Sequence, residues 1–196
     1  AGGVLMLAAC VLFWHGQYLV GLAWGWVMTL LDTVDGKLAR VTVQSSRCGH
    51  VLDHGMDIVH PPFWYVLWGR GLGVDAVAGW PLAILDWTLV AAYLGGRAVE
   101  GVFPVLGRCS VFAWRPFDAY VRLVTARRNP CLIILTVATL AGVPAWGYLG
   151  VVGWSVFSTA LLVLRLVQAA WARLAGAPLA SWLHEADAAS RYPRAY

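Results

Sequence analysis

Long apolar runs, each cut from the next by a short polar cluster, constrain this chain more tightly than any other feature. A run of about 20 apolar residues crosses a bilayer as a helix, because lipid offers the backbone N–H and C=O groups no partners outside the segment. Residues 1–14 are apolar, too short to span, and closed by His15-Gly16-Gln17. They are expected to be a helix cut short at the start of the fragment, with native sequence upstream. The second run extends from Tyr18 to Val43, apolar at first and ending in Asp32, Asp35, Lys37 and Arg40. A polar link, Gln44 to Arg47, leads to a third over 49–69, which Pro61-Pro62 should bend by removing backbone donors. A fourth covers 76–105, a fifth 130–148 with an interruption at Gly142-Val143-Pro144, and a sixth 150–170. The expected fold is all-α: a polytopic membrane helix bundle of about six transmembrane helices. Its membrane domain is read over 1–175, followed by a polar C-terminal tail at 176–196.

Composition agrees. The chain is 60% hydrophobic and 12% charged, against about 45–50% and about 25% in soluble domains. That balance excludes an ordinary soluble globule and a disordered chain. Placing the link after the second run on the cytoplasmic side puts 11 of the 14 Lys and Arg residues on that side and Arg70 alone on the other, with Arg97 and Arg165 inside runs. This is a positive-inside pattern. Trp14, Trp64, Trp68, Trp80, Trp146 and Trp154 then gather towards the outer interface as expected anchors. The four Cys residues, Cys10, Cys48, Cys109 and Cys131, show neither disulfide nor zinc spacing.

Four carboxylates, Asp32, Asp35, Asp53 and Asp57, lie on two consecutive helices. An Asp at the centre of a membrane helix costs about 2.5–3.5 kcal/mol even on the lenient insertion scale, so such residues face a cavity, a counter-ion or each other. Spacings of three and four residues place each pair on one helix face. The short link makes the helices antiparallel neighbours, and at a rise of about 1.5 Å per residue Asp35 and Asp57 reach similar depths. Four acids converging on one pocket need neutralising. An all-oxygen donor set suits a hard cation, Mg²⁺ or Mn²⁺, and two such ions would clamp a diphosphate for in-line displacement. Gly36 and Ala39 leave the Asp32 face nearly bare for a ligand, Gly49 clears the facing helix in the same way, and Arg40 is placed to contact a phosphate oxygen.

The run Asp32-x2-Asp35-Gly36-x2-Ala39-Arg40-x8-Gly49-x3-Asp53-x3-Asp57 resembles the signature of the CDP-alcohol phosphatidyltransferase family at every position. The resemblance implies a transfer reaction. An acceptor hydroxyl attacks the distal phosphorus of a CDP-linked donor, CDP-diacylglycerol by preference, and CMP leaves. It implies Asp32, Asp35, Asp53 and Asp57 around the metal ions, Asp57 as the general base, and Asp35, Gly36, Ala39, Arg40 and Gly49 at the CDP moiety. It also implies a homodimer in phospholipid biosynthesis, in a bacterial cytoplasmic membrane with its active site facing the cytoplasm.

The acceptor is read less directly. Arg97, Arg127, Arg128 and Arg165 are candidate anchors for an anionic acceptor, since an intramembrane Arg is costly and usually paired. Arg127 and Arg128 also fit as contacts to lipid head groups. His50, His54 and His60 read as supporting or surface residues rather than metal ligands. In 107–128 the alternation of Arg with Phe112, Trp114, Phe117 and Tyr120 fits a surface-lying helix, and no nucleic-acid partner is expected. The competing class is an ion-coupled transporter using the same carboxylates. Carrier acids, however, sit in repeated halves, and here they cluster once.

Overall fold

The computed structural model describes residues 2–42, 47–107, 109–177 and 179–182, and the side chains of all of these except 36–42, 47–54, 56 and 57. It is all-α apart from one short hairpin, as the hydropathy pattern requires. Helices α1 (Gly2–Trp14), α2 (Tyr18–Thr42) and α3 (Arg47–Gly71) are followed by strands β1 (Ala76–Val77) and β2 (Trp80–Pro81). Then come α4 (Leu82–Gly107), α5 (Pro116–Val124), α6 (Arg128–Leu140) and α7 (Pro144–Leu174).

Among the described residues, α4 and α7 are long and apolar enough to cross a membrane, with 26 and 31 residues. The pair α5 and α6 passes the same criterion only if taken together across a bend of 47°. α2 and α3 have 25 residues each, so length suffices, but they carry the acids and are less apolar. α4 exposes Ile84, Trp87, Val102 and Val105, and α7 exposes Phe157, Leu164, Val167 and Trp171. Lipid, unlike water, accepts such faces without penalty.

Three sequence expectations are corrected. The fourth helix begins at Leu82 rather than 76, because residues 76–81 form a hairpin with Ala76 opposite Pro81 and Val77 opposite Trp80. Its two-residue turn places Ala78 and Gly79 at φ 48° and 82°, the left-handed pair that matches the twist of a tight hairpin. The break at Gly142-Val143-Pro144 is a full connection between helices, not an interruption within one. Gly142 takes φ 73°, and Pro144, which cannot continue a helix but readily starts one, opens α7. Trp64 and Trp68 are not interfacial anchors. Both are wholly buried, while Trp14, Trp80 and Trp146 are exposed.

The described chain divides into two compact units. The first comprises Ala1–Tyr93 with Ala126–Val156, the second Leu94–Thr125 with Phe157–Tyr196. In the first, α1 packs on α2 and α3, and α2 on α6. His60, Trp64 and Trp68 recur every four residues and so form one stripe along α3. Phe13 of α1 meets the stripe with ring centroids 5.9 Å from Trp64 and 5.2 Å from Trp68. Each buried indole N–H needs an acceptor. Trp64 donates to the Met6 carbonyl at 3.1 Å, and Trp68 to the Pro144 carbonyl at 3.2 Å. The helix ends close tightly here: a Cβ on Gly71 would run into the Phe13 carbonyl, so only glycine fits.

In the second unit Phe103, Val111, Phe112, Leu162 and Ala169 form a separate core. Ser110 caps the 3₁₀ turn Val111–Ala113 by accepting from the Phe112 N–H. α5 is turned inside out by soluble standards. It buries Asp118 and exposes Phe117, Tyr120 and Leu123, the arrangement of a helix whose outer face meets apolar surroundings.

Candidate active site

The site is built on α2. After the turn at Gly16, φ 69°, nothing in the apolar sequence interrupts the helix, and it delivers Asp32 and Asp35 one turn apart. Asp32 is half-buried and Asp35 exposed. The positions of Asp53 and Asp57 fall on α3 one turn apart. Their side chains, with those of Gly36, Ala39, Arg40 and Gly49, lie outside the described residues. Convergence of all four acids therefore remains an expectation. Among the described residues, no group of three or more His, Cys, Asp or Glu side chains is placed to hold a metal ion.

Among the described residues, the structure brings a long-range partner to Asp32. Arg128, first residue of α6, places Nη2 2.6 Å from Oδ2 of Asp32, across 96 positions of sequence. Their side chains are 14% and 31% exposed, so the pair is shielded from water on most sides and charge-assisted. Why α6 starts there follows from its sequence. Arg127 is extended, with φ −123° and ψ 174°, and Pro130 sits in the first turn, where an N–H has no helical partner to lose. α6 is fixed to α2 further along, where the Trp26 indole donates to Thr136 Oγ1 at 3.1 Å. Going from Trp26 to Asp32 on α2 while going back from Thr136 to Arg128 on α6 makes the two helices antiparallel. Arg127 is half-buried beside Arg128.

The other two candidate acceptor residues belong to the second unit, and each has a carboxylate of its own. Arg97 pairs with Glu100 at 2.6 Å. Arg165 pairs with Asp118 at 2.7 Å and donates to Gln168 Oε1 at 2.8 Å while lying over the Phe117 ring. These pairs meet the rule that an Arg in a membrane helix finds a counter-charge. His60 is buried rather than at the surface, packed edge-on against Trp64 with centroids 5.1 Å apart. Among the described residues, Cys10, Cys109 and Cys131 form no disulfide. Burial pushes the Cys109 thiol up from its ordinary range, the opposite of an activated nucleophile.

One polar cluster escaped the sequence reading. Asp86, near the start of α4, accepts from Tyr148 of α7 at 2.5 Å through Oδ1, and its Oδ2 lies 2.6 Å from Arg70 Nη2 at the end of α3. Asp86 stands within an apolar run, so the same cost that singled out Asp32 was the available signal. Gly69 makes room for the Tyr148 ring: a Cβ there would come within 2.8 Å of it.

A comparison with known families returns a match over the stretch that carries the acids of α2 and α3. Residues 1–93 match the model for CDP-alcohol phosphatidyltransferase, a stretch that contains the entire 32–57 pattern. No curated protein and no solved structure matches the chain. The family resemblance carried by that pattern is borne out over residues 1–93.

Proposed function

We propose that the chain is a membrane-embedded phosphotransferase that moves a phosphatidyl group from CDP-diacylglycerol to an acceptor alcohol, releasing CMP in phospholipid synthesis. The observation that carries this reading is the unbroken 32–57 pattern inside the segment that matches the family. The positive-inside count supports an active site on the cytoplasmic side, and residues 1–175 form its membrane domain, working as a homodimer.

Asp32, Asp35, Asp53 and Asp57 would hold Mg²⁺ or Mn²⁺, two ions by the charge of four carboxylates. The donor set fits hard divalent cations, and Asp32 already carries a cationic group in the structure, the Arg128 guanidinium. When bound, such ions disperse charge on the transferring phosphate and on the CMP leaving group. The remaining chemistry belongs to the chain. Asp57 takes the proton from the acceptor hydroxyl, because an alcohol is a poor nucleophile at neutral pH. Gly36, Ala39 and Gly49 let the CDP moiety lie against the backbone, Asp35 faces it, and Arg40 reaches a phosphate oxygen. Arg128, beside Asp32, and its neighbour Arg127 are the better-placed anchors for an anionic acceptor, since Arg128 reaches the acids of α2 themselves. Arg97 and Arg165 pair instead with Glu100 and Asp118, carboxylates outside the 32–57 pattern.

The test is direct. Purified protein is incubated with Mg²⁺, CDP-diacylglycerol and a panel of acceptors: glycerol 3-phosphate, inositol phosphate, serine and amino alcohols. CMP release with one acceptor is expected. Release with none, also when soluble CDP-alcohols replace the lipid donor, would overturn the reading.

A further inference from the structure

We infer that Arg128 is a built-in counter-ion, seated on Asp32 until a divalent cation displaces it, so that loading the metal and freeing this guanidinium are one event. The inference rests on the proposed metal-binding role of Asp32 and adds to it a residue from α6 that no family pattern at 32–57 contains. Three observations carry it. First, the contact is close: Nη2 lies 2.6 Å from Oδ2, so the guanidinium occupies a direction from which a metal would approach that oxygen. Second, charge counts. Four carboxylates balance two divalent ions, and a guanidinium left on Asp32 would be a surplus positive charge beside them in a partly dehydrated place, where like charges repel more strongly than in water. Third, the backbone that carries Arg128 is anchored. The Trp26–Thr136 hydrogen bond fixes α6 on α2, so the exchange falls to the long, flexible Arg side chain rather than to the helix.

The electrostatics also explain why such a device is useful. Without a cation, Asp32 and Asp35 on adjacent turns of α2 repel each other. A guanidinium on Asp32 relieves part of that repulsion and keeps α2 beside α6. Arg is suited to the part because it stays charged and donates in a planar fork, whereas it is a weaker competitor for a bare carboxylate oxygen than a divalent ion. Arg128 is thus a positioning residue, acting on the reaction through Asp32. The opposite arrangement, in which Arg128 stays on Asp32 and orients it towards the metal, makes the opposite prediction for metal affinity.

The experiment measures Mn²⁺ binding without substrate, from the electron spin resonance signal of free Mn²⁺ titrated into the detergent-solubilised full chain. Arg128→Gln is expected to tighten binding about three- to tenfold, the scale for removing one partly exposed competing charge, while Arg128→Lys stays near the unsubstituted protein. Unchanged or weaker binding in Arg128→Gln overturns the counter-ion role. Absence of Mn²⁺ binding in every version overturns it too, and also removes the metal-dependent reading on which it rests. A second measurement needs no variant. Phenylglyoxal labelling of Arg128, read by peptide mass spectrometry, is expected to rise severalfold when Mn²⁺ is added. Equal or reduced labelling contradicts displacement.

Discussion

Two arginine–aspartate pairs in the first unit close at the same distance, 2.6 Å, and differ in everything around them. At Asp86 both carboxylate oxygens are engaged, one by Arg70 and one by the Tyr148 hydroxyl. The Asp86 side chain is 9% exposed, that of Asp32 31%. The Asp86 cluster ties together the end of α3, the start of α4 and α7, so it behaves as a clamp. Asp32 keeps its carboxylate partly open and has a second acid, Asp35, one turn on. A nearly buried carboxylate held by two other elements is a structural device. One left partly open beside further acids is a place where a cation can be exchanged.

Crossed substitutions would break that comparison if it is wrong. The largest effect is expected from Asp57→Asn, which removes the proposed base: CMP release should fall about 10²- to 10⁴-fold, while CDP-diacylglycerol binding stays measurable. Retained turnover would take Asp57 out of that role. Next comes Asp86→Ala, which leaves the buried Tyr148 hydroxyl without its acceptor and the half-exposed Arg70 without its counter-charge, and should cost about 2–3 kcal/mol of stability. Thermal unfolding followed by tryptophan fluorescence would show it, with turnover per folded molecule kept. Asp32→Asn should do the reverse, abolishing CMP release with a much smaller shift in unfolding temperature. If Asp32 and Asp86 variants gave the same profile, the distinction between exchange site and clamp would be lost. Tyr148→Phe is milder, leaving one Asp86 oxygen short of a donor, at about 1–3 kcal/mol. Gly71→Ala tests the helix-end closure outside either cluster. It should destabilise by about 1–3 kcal/mol, as overpacking does, with no change in metal affinity.

Much of the architecture was legible in the sequence because lipid leaves a chain few choices. Apolar runs of sufficient length predict helices, and helices are what formed. The boundaries were less legible. Gly142-Val143-Pro144 reads equally as a kink or a connection, and only the left-handed φ of Gly142 with Pro144 at the start of α7 decides it. The hairpin at 76–81 carries a single glycine as its turn signal, since Ala78 is not a residue that normally adopts positive φ. Trp64 and Trp68 were misread for a different reason. A tryptophan near a helix end is commonly an interfacial anchor, and the carbonyls of Met6 and Pro144 that accept their N–H groups lie 58 and 76 positions away.

The candidate site divides along the same line. Its acids are readable because local spacing sets helix faces and intramembrane carboxylates are costly. Arg128 could be suspected as an anion anchor, but its attachment to Asp32 depends on α6 folding back antiparallel to α2, a long-range event with no local signature. Asp118 as partner of Arg165 was hidden in the same way, by 47 positions of intervening chain. Arg97 and Glu100 were the readable exception, three residues apart on one helix.

The account stands most directly on the dependence of phosphatidyl transfer on a divalent cation held by the α2 and α3 acids. CMP release from CDP-diacylglycerol, with the acceptor found in the panel, should vanish after exhaustive chelation and return when Mg²⁺ or Mn²⁺ is restored. Full turnover by the metal-stripped protein would contradict it.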